Sequence, residues 1–379
     1  MINLVKDTIS NLDVNTLIEW LKEYPRLTKG PKTIEFEEAY SDYLGCKKST
    51  FVNSGSSAIL LMLQTLIEKG DLAPGDKVVV PAVSWATDLA PVMQLGLVPV
   101  LCDCNLDDFS YDIDDFKSIA LTKPKAAILV SVLGLVPDMD AIMEVCNDHD
   151  IILLEDVCES MGSEYKGKKL GTFGKMSVFS TYFGHHISTI EGGLVCTSDD
   201  ECDDLLKSVR SHGWARDLSR EKQQDLSNQW AVRDFDALFT FYNCGFNLRA
   251  TDLQAFIGIG QVMKLPWVVK KRNENFLKYQ ERLGRVQVKD HSFVSNFAYP
   301  ILTSQRDHLV AKLMEGGVEV RPLICGSMGH QPFYMKKYGR ESLPNADKVH
   351  SKGLYLPNHP FMSDEDIRYI CDLVHKYDN

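Results

Sequence analysis

Short, almost unbroken apolar runs alternate along this chain with longer stretches whose apolar positions recur every three or four residues. The runs "KVVVPAV" (Lys77–Val83), "VPVLCD" (Val98–Asp103), "KAAILVSVL" (Lys125–Leu133), "DIILLED" (Asp150–Asp156), "KMSVFST" (Lys175–Thr181) and "GGLVCTS" (Gly192–Ser198) read as strands. They lack the in-out alternation of a half-exposed sheet, so they predict a largely parallel sheet covered on both faces. Thr33–Gly45 has amphipathic spacing and ends on a glycine, while Ser56–Gly70 is apolar on most faces. Both predict helices, as does "DMDAIMEVCNDHD" between two of the strands. This alternation is the signature of an α/β domain, placed here at residues 1–253 with a mixed, mostly parallel sheet. After Leu253 the texture changes. Leu253–Leu283 predicts a long helix broken near Pro266, followed by strands in "FAYPILT" and "VEVRPL" and a closing helix, Asp364–Tyr377. Residues 254–379 are therefore expected to form a smaller α+β domain.

Charge and cysteine usage narrow the function classes. With 41 basic against 52 acidic side chains the net charge is −11, and no basic cluster offers a footing for nucleic acid or an anionic membrane. The longest apolar run, around Ala126–Pro137, is about half the ~20 residues that a membrane span needs. The N-terminal segment lacks the apolar core of a secretory signal. The ten cysteines are scattered and form no CxxC, which suggests free thiols in a cytoplasmic protein.

In open α/β sheets ligands collect where strands end, so the loops after strands carry the candidate chemistry. "NSGSSA" (Asn53–Ala58) leads into a helix. Gly55 permits close backbone approach, and Ser56 and Ser57 add hydroxyls to the free N–H groups of the helix start, making an anion cup or a plain serine cap. Trp85, just past a strand in "VPAVSWATD", can stack on a planar ring or pack in the core. Asp156 ends an apolar strand in "LLEDVCES", where a carboxylate is costly without a cation or strong donor such as a protonated pyridine nitrogen. Glu159 follows three residues later. Asn247 and Arg249 precede a helix in "CGFNLRATDLQA" and say little on their own. A metal centred on the adjacent His185 and His186 is not expected, because no third ligand lies at a convincing spacing.

Taken together, a phosphate cup, a stacking aromatic and an acid after an apolar strand come in the order a pyridoxal-type site needs. The segments "SGSSA", "PAVSWATD", "LLEDVCES", "FSTYFGHHISTIEGG" and "GFNLRATDLQAFIG" resemble the DegT/DnrJ/EryC1/StrS sugar aminotransferase family over nearly the whole chain. The resemblance implies a fold-type-I aminotransferase architecture, with a three-layer α/β/α large domain, and a homodimer. It also implies that Gly55, Ser56, Ser57 and Ser180 bind the cofactor phosphate, Trp85 covers the ring, Asp156 pairs with the ring nitrogen and Glu159 approaches the ring hydroxyl. Asn247 would reach the phosphate from a neighbouring subunit. His212 and Arg321 would face the substrate or glutamate.

One departure changes the expected reaction. The family motif places a lysine six residues before Glu-Gly-Gly, and counting back six from Glu191 reaches His185. No lysine occurs between Lys175 and Lys207. Imidazole forms no stable imine with an aldehyde, yet it moves protons near neutral pH. His185 is therefore expected to be a catalytic base, and His186 structural. The resemblance narrows to the branch that uses pyridoxamine 5′-phosphate, recharged from pyridoxal 5′-phosphate by L-glutamate, to remove the C3 hydroxyl of a nucleotide-linked 4-keto-6-deoxyhexose, GDP-4-keto-6-deoxy-D-mannose best of all. Such a lyase would serve the synthesis of 3,6-dideoxysugars of surface polysaccharide. A related type carries a [2Fe–2S] cluster; only Cys244 lies near the corresponding segment, so no iron–sulfur cluster is expected. Two alternatives stay open on sequence: an amino-transferring enzyme working with free pyridoxamine, and a member that kept the fold and lost catalysis.

Overall fold

The apolar runs pair into one sheet, joined at its edge by a strand the hydrophobic pattern did not reveal. The computed structural model describes residues 1–378. Its strands in chain order are β1 (Lys48–Val52), β2 (Lys77–Pro81), β3 (Val98–Cys102), β4 (Ala126–Val130), β5 (Ile152–Asp156), β6 (Glu164–Tyr165), β7 (Lys168–Lys169), β8 (Met176–Ser180), β9 (Gly193–Thr197), β10 (Ser292–Phe293), β11 (Ala298–Leu302), β12 (Arg321–Pro322) and β13 (Gly353–Pro357). The main sheet has seven strands in the order β1-β9-β8-β5-β4-β2-β3. The pairs from β3 through β8 are parallel, while β8–β9 and β9–β1 are antiparallel. The expected mostly parallel α/β sheet is thus present, and β4, β8 and β9 are buried along their whole length, which explains their unbroken apolar runs.

The strand not foreseen, β1, reads "KSTFV", with apolar residues only at its end. Beyond the exposed Lys48 its polar side chains, Ser49 and Thr50, are nonetheless buried, and Ser49 donates to the carbonyl of Glu37 on the helix Pro31–Leu44. A satisfied hydroxyl can replace an apolar group inside a sheet.

The expected break near Pro266 does not occur. Asp252–Leu283 is one continuous helix. Proline removes a single N–H from the ladder, and the buried Val262, Leu265, Val268 and Val269 on both sides hold the helix together by packing. At the start of this helix the buried Asp252 binds a second helix: its carboxylate accepts from the N–H groups of Gly30, Lys32 and Thr33 and from the Thr33 hydroxyl, at 2.7–3.1 Å. It thereby caps Pro31–Leu44 from outside.

A smaller antiparallel sheet, β11-β13-β12, lies toward the C-terminus. The N-terminal segment runs to it: Ile2 bridges Val318, and the Leu4 N–H donates to Glu319 Oε2 at 2.9 Å. Among the described residues no helix is long and apolar enough to cross a membrane.

Candidate active site

The turn after β1, the loops after β2, β5 and β8, and the segments around Arg321 and Tyr355 enclose a cavity of about 350 Å³. Gly55, Ser56, Trp85, Asp156, Glu159, Ser180, His185 and Arg321 all line it. Residues far apart in sequence meet there because β1, β5 and β8 deliver their chain ends to one edge of the sheet.

One end of the cavity is a helix N-terminus. Ser54, not Ser56, is the cap of Gly55–Lys69, its Oγ accepting from the Ser57 N–H at 3.1 Å. The N–H groups of Gly55 and Ser56 stay without a hydrogen bond among the described residues. They point the positive end of the helix into the cavity. A Cβ on Gly55 would lie 2.8 Å from Ser180 Cβ, and a side chain at Gly193 would collide with the backbone of Ser54 and Gly55. Those two glycines let the cup close against β8 and β9. Ser57 is different: its hydroxyl turns back to Ser54 Oγ at 3.0 Å, and it does not line the cavity.

Trp85 is 57% exposed, so core packing is not its role. It caps the helix Ala86–Gln94 and leaves its indole at the cavity. Asp156 is buried, and its Oδ1 accepts from the Cys158 N–H at 2.8 Å. No cation among the described residues pairs with it. Burial pushes the neighbouring Glu159 up to about 8; the Asp156 charge adds to this, and the Leu133 N–H, 2.8 Å from Oε2, opposes it. Asp88, which no sequence motif singled out, is fully buried beside them in the same wall. Burial, then the facing Asp156 charge, raise it well above an ordinary carboxyl. Burial raises Asp156 as well, but the Cys158 donors and the facing Asp88 carboxyl oppose it, so Asp156 is the acid of this group held most toward its charged form.

The two histidines part company. His185 lines the cavity; His186 is sealed behind it, with Nε2 2.9 Å from Ser295 Oγ. The Nδ1 of His185 is buried and meets no partner among the described residues, so Nε2 is the nitrogen open to the cavity. Burial, with the nearby Arg272 cation, lowers His185 to about 4, and the ring is neutral at physiological pH. Arg272 holds it in place by donating to its carbonyl oxygen at 3.2 Å. No lysine lines the cavity.

Arg321 is half exposed at the rim, where Nη2 donates to Glu319 Oε1 at 3.0 Å. His212 and Asn247 do not line this chain's cavity. His212 has a left-handed backbone, φ 64°, and its ring lies 5.0 Å from that of Trp214. Asn247 is exposed and bridges Ser211. Besides Asp88, the cavity gains Tyr182, Phe183 and Tyr355. Asp88 had a signal, an acid in the first turn of an apolar helix. Arg272 had none, since "KKRNEN" reads as a solvated basic face.

The cavity suits an anionic, planar, nitrogen-protonated group: it offers free N–H donors at one end, an open indole, and an unpaired buried carboxylate. Pyridoxamine or pyridoxal 5′-phosphate has those features, and the lining has no amine to bind the aldehyde form covalently.

Comparison with known proteins agrees with this chemistry. The model of the DegT/DnrJ/EryC1/StrS aminotransferase family matches residues 8–375. The chain is similar to GDP-4-keto-6-deoxy-D-mannose 3-dehydratase of Yersinia pseudotuberculosis, at 33% identity over 99% of both chains. Among solved structures it is similar to a GDP-4-keto-6-deoxymannose-3-dehydratase variant with bound GDP-perosamine, with a TM-score of 0.91, 30% identity, and coverage of 99% and 100%. It is also similar to that type of enzyme with a trapped PLP-glutamate geminal diamine, at a TM-score of 0.91, 30% identity, and coverage of 98% and 100%.

Proposed function

The chain belongs to the DegT/DnrJ/EryC1/StrS aminotransferase family, and from that premise we propose that it is a lyase of the family's non-transaminating kind. It is a pyridoxamine 5′-phosphate-dependent 3-dehydratase acting on a nucleotide-linked 4-keto-6-deoxyhexose, GDP-4-keto-6-deoxy-D-mannose in the first instance. The observation that carries this reading is His185 facing a cofactor-sized cavity that holds no lysine.

When bound, the cofactor supplies an amine that condenses with the sugar ketone and a conjugated ring that takes up electrons. Gly55 and Ser56 hold its phosphate through their free N–H groups, with the Ser180 hydroxyl beside them. Trp85 covers one ring face. Asp156 keeps a proton on the ring nitrogen, and Glu159 stands by the ring hydroxyl. His185 takes a proton at Nε2. The burial and the Arg272 charge that lower it to about 4 make the resulting imidazolium a strong acid, suited to protonate the departing C3 hydroxyl. Arg321 receives a carboxylate, that of glutamate, at the rim. Deoxygenation removes one oxygen atom and needs two electrons. Glutamate supplies them, leaving as 2-oxoglutarate while its nitrogen is released as ammonia.

The same reading includes a homodimer. A patch on the segment after His212 exposes Trp230, Phe235 (90%), Phe239 (70%) and Phe241, too much apolar surface for a solvated loop. A second copy covering it would bring Asn247, exposed and outside its own cavity, to the partner's site. A cytoplasmic location fits the acidic, free-thiol composition.

The test is product analysis after incubation with pyridoxal 5′-phosphate, glutamate and GDP-4-keto-6-deoxymannose. A 3,6-dideoxy-4-keto sugar supports the dehydratase; a 4-amino sugar as the only product establishes amino transfer instead.

A further inference from the structure

Asp88 is a buried acid for which the proposed chemistry has given no use. It lies in the first turn of Ala86–Gln94, three residues after Trp85, and is fully buried in the cavity wall. Neither of its carboxyl oxygens accepts a hydrogen bond from any donor among the described residues. What it meets is the carboxyl of Asp156, within hydrogen-bonding reach. Two carboxylates have only acceptors to offer each other, so a contact between them in a dry wall must contain a proton. Asp156 also receives the Cys158 N–H at 2.8 Å, a donor that favours its charged form; the backbone of Trp85 near Asp88 makes no hydrogen bond to its carboxyl, and its small pull toward the charged form is outweighed by burial and the facing Asp156 charge. The proton therefore resides on Asp88.

We propose that Asp88 is a positioning residue: a neutral carboxylic acid that donates to Asp156, orients it, and keeps it the single anion available to a protonated ring nitrogen. The other groups that face Asp88 do not take over this task. Glu159 and Cys158 belong to the loop of Asp156 itself, Cys325 comes from the segment after β12, and Tyr111 donates its hydroxyl to the Ile128 carbonyl of β4. Burial raises each of them, so they stay protonated around neutral pH. The inference rests on the pyridoxamine reading of the cavity and adds a residue to it.

The test is the affinity of the whole protein for pyridoxamine 5′-phosphate, titrated by fluorescence across pH with no sugar present. Binding by the native protein should weaken toward acid as Asp156 takes up a proton. Asp88→Leu removes the donor: affinity at neutral pH should fall about tenfold, and the acid limb should move to higher pH. Asp88→Asn offers an amide donor in the same shape, so affinity should stay within about threefold and the acid limb should not move. Unchanged affinity and limb in Asp88→Leu would overturn the proposal, as would an Asp88→Asn limb displaced upward. If the leucine variant does not fold, the asparagine variant alone decides the matter. A native protein that binds no pyridoxamine 5′-phosphate overturns the cofactor reading as well, which separates the two failures.

Discussion

Arg272 Nη2 donates to the carbonyl oxygen of His185 at 3.2 Å, and its buried guanidinium helps hold the imidazole of that residue neutral. Arg272 is fully buried without an acidic partner among the described residues; its Nη1 donates to the carbonyls of Phe297 and Asn358. It pins the His185 loop to the long helix. Arg272→Met should raise the His185 midpoint above about 4, by less than the full distance to 6.5 because burial is the larger cause. Histidine NMR titration of the cofactor-free protein reads this directly. The orphaned carbonyls should cost about 3 kcal/mol of stability.

His185 itself has a two-sided test. His185→Asn should keep pyridoxamine 5′-phosphate binding and lose turnover by about 10³-fold, the range for a positioned base. His185→Lys should react with pyridoxal 5′-phosphate and show visible absorbance. Borohydride followed by peptide mapping should then find a pyridoxyl group on residue 185 in that variant and on no lysine of the native protein. A labelled native lysine would place the covalent site elsewhere.

Glu159 makes the cofactor-free protein sensitive to pH. Its carboxyl titrates at about 8 when folded and near 4.5 when not, so the folded state binds more protons between those values. The stability that Glu159 contributes is therefore fully present below about 4.5 and is lost as pH rises through about 8. Urea unfolding at a series of pH values should show that decline, and Glu159→Gln should make it shallower, the remainder coming from Asp88, Glu155 and Asp156, which burial also raises.

Asp252→Ala should destabilise the fold by about 2–4 kcal/mol without touching the cavity, because it removes the acceptor for the start of Pro31–Leu44. Thermal unfolding and unchanged cofactor affinity together check this.

Much of this was legible in the sequence, for identifiable reasons. The fully buried strands announced themselves as apolar runs, and the helix ends at Gly45 and Gly70 as glycines in left-handed turns. Loop chemistry at strand ends was readable because strands deliver their ends to one edge. β1 escaped because Ser49 and Thr50 look polar in sequence although both are buried, Ser49 with its hydroxyl bonded to the Glu37 carbonyl. Pro266 misled because packing on both sides outweighs one lost N–H. Asp88 and Arg272 needed the third dimension: an acid matters here through the second acid it faces, and an arginine through the carbonyls it gathers.

A histidine in the lysine's place, on this reading, turns amine donation into hydroxyl removal. The fate of the glutamate nitrogen tests that most directly. With ¹⁵N-glutamate, pyridoxal 5′-phosphate and GDP-4-keto-6-deoxymannose, we predict a sugar product lighter by one oxygen and free of ¹⁵N, with the label appearing as ammonia. A sugar that retains both its C3 oxygen and the ¹⁵N label would contradict it.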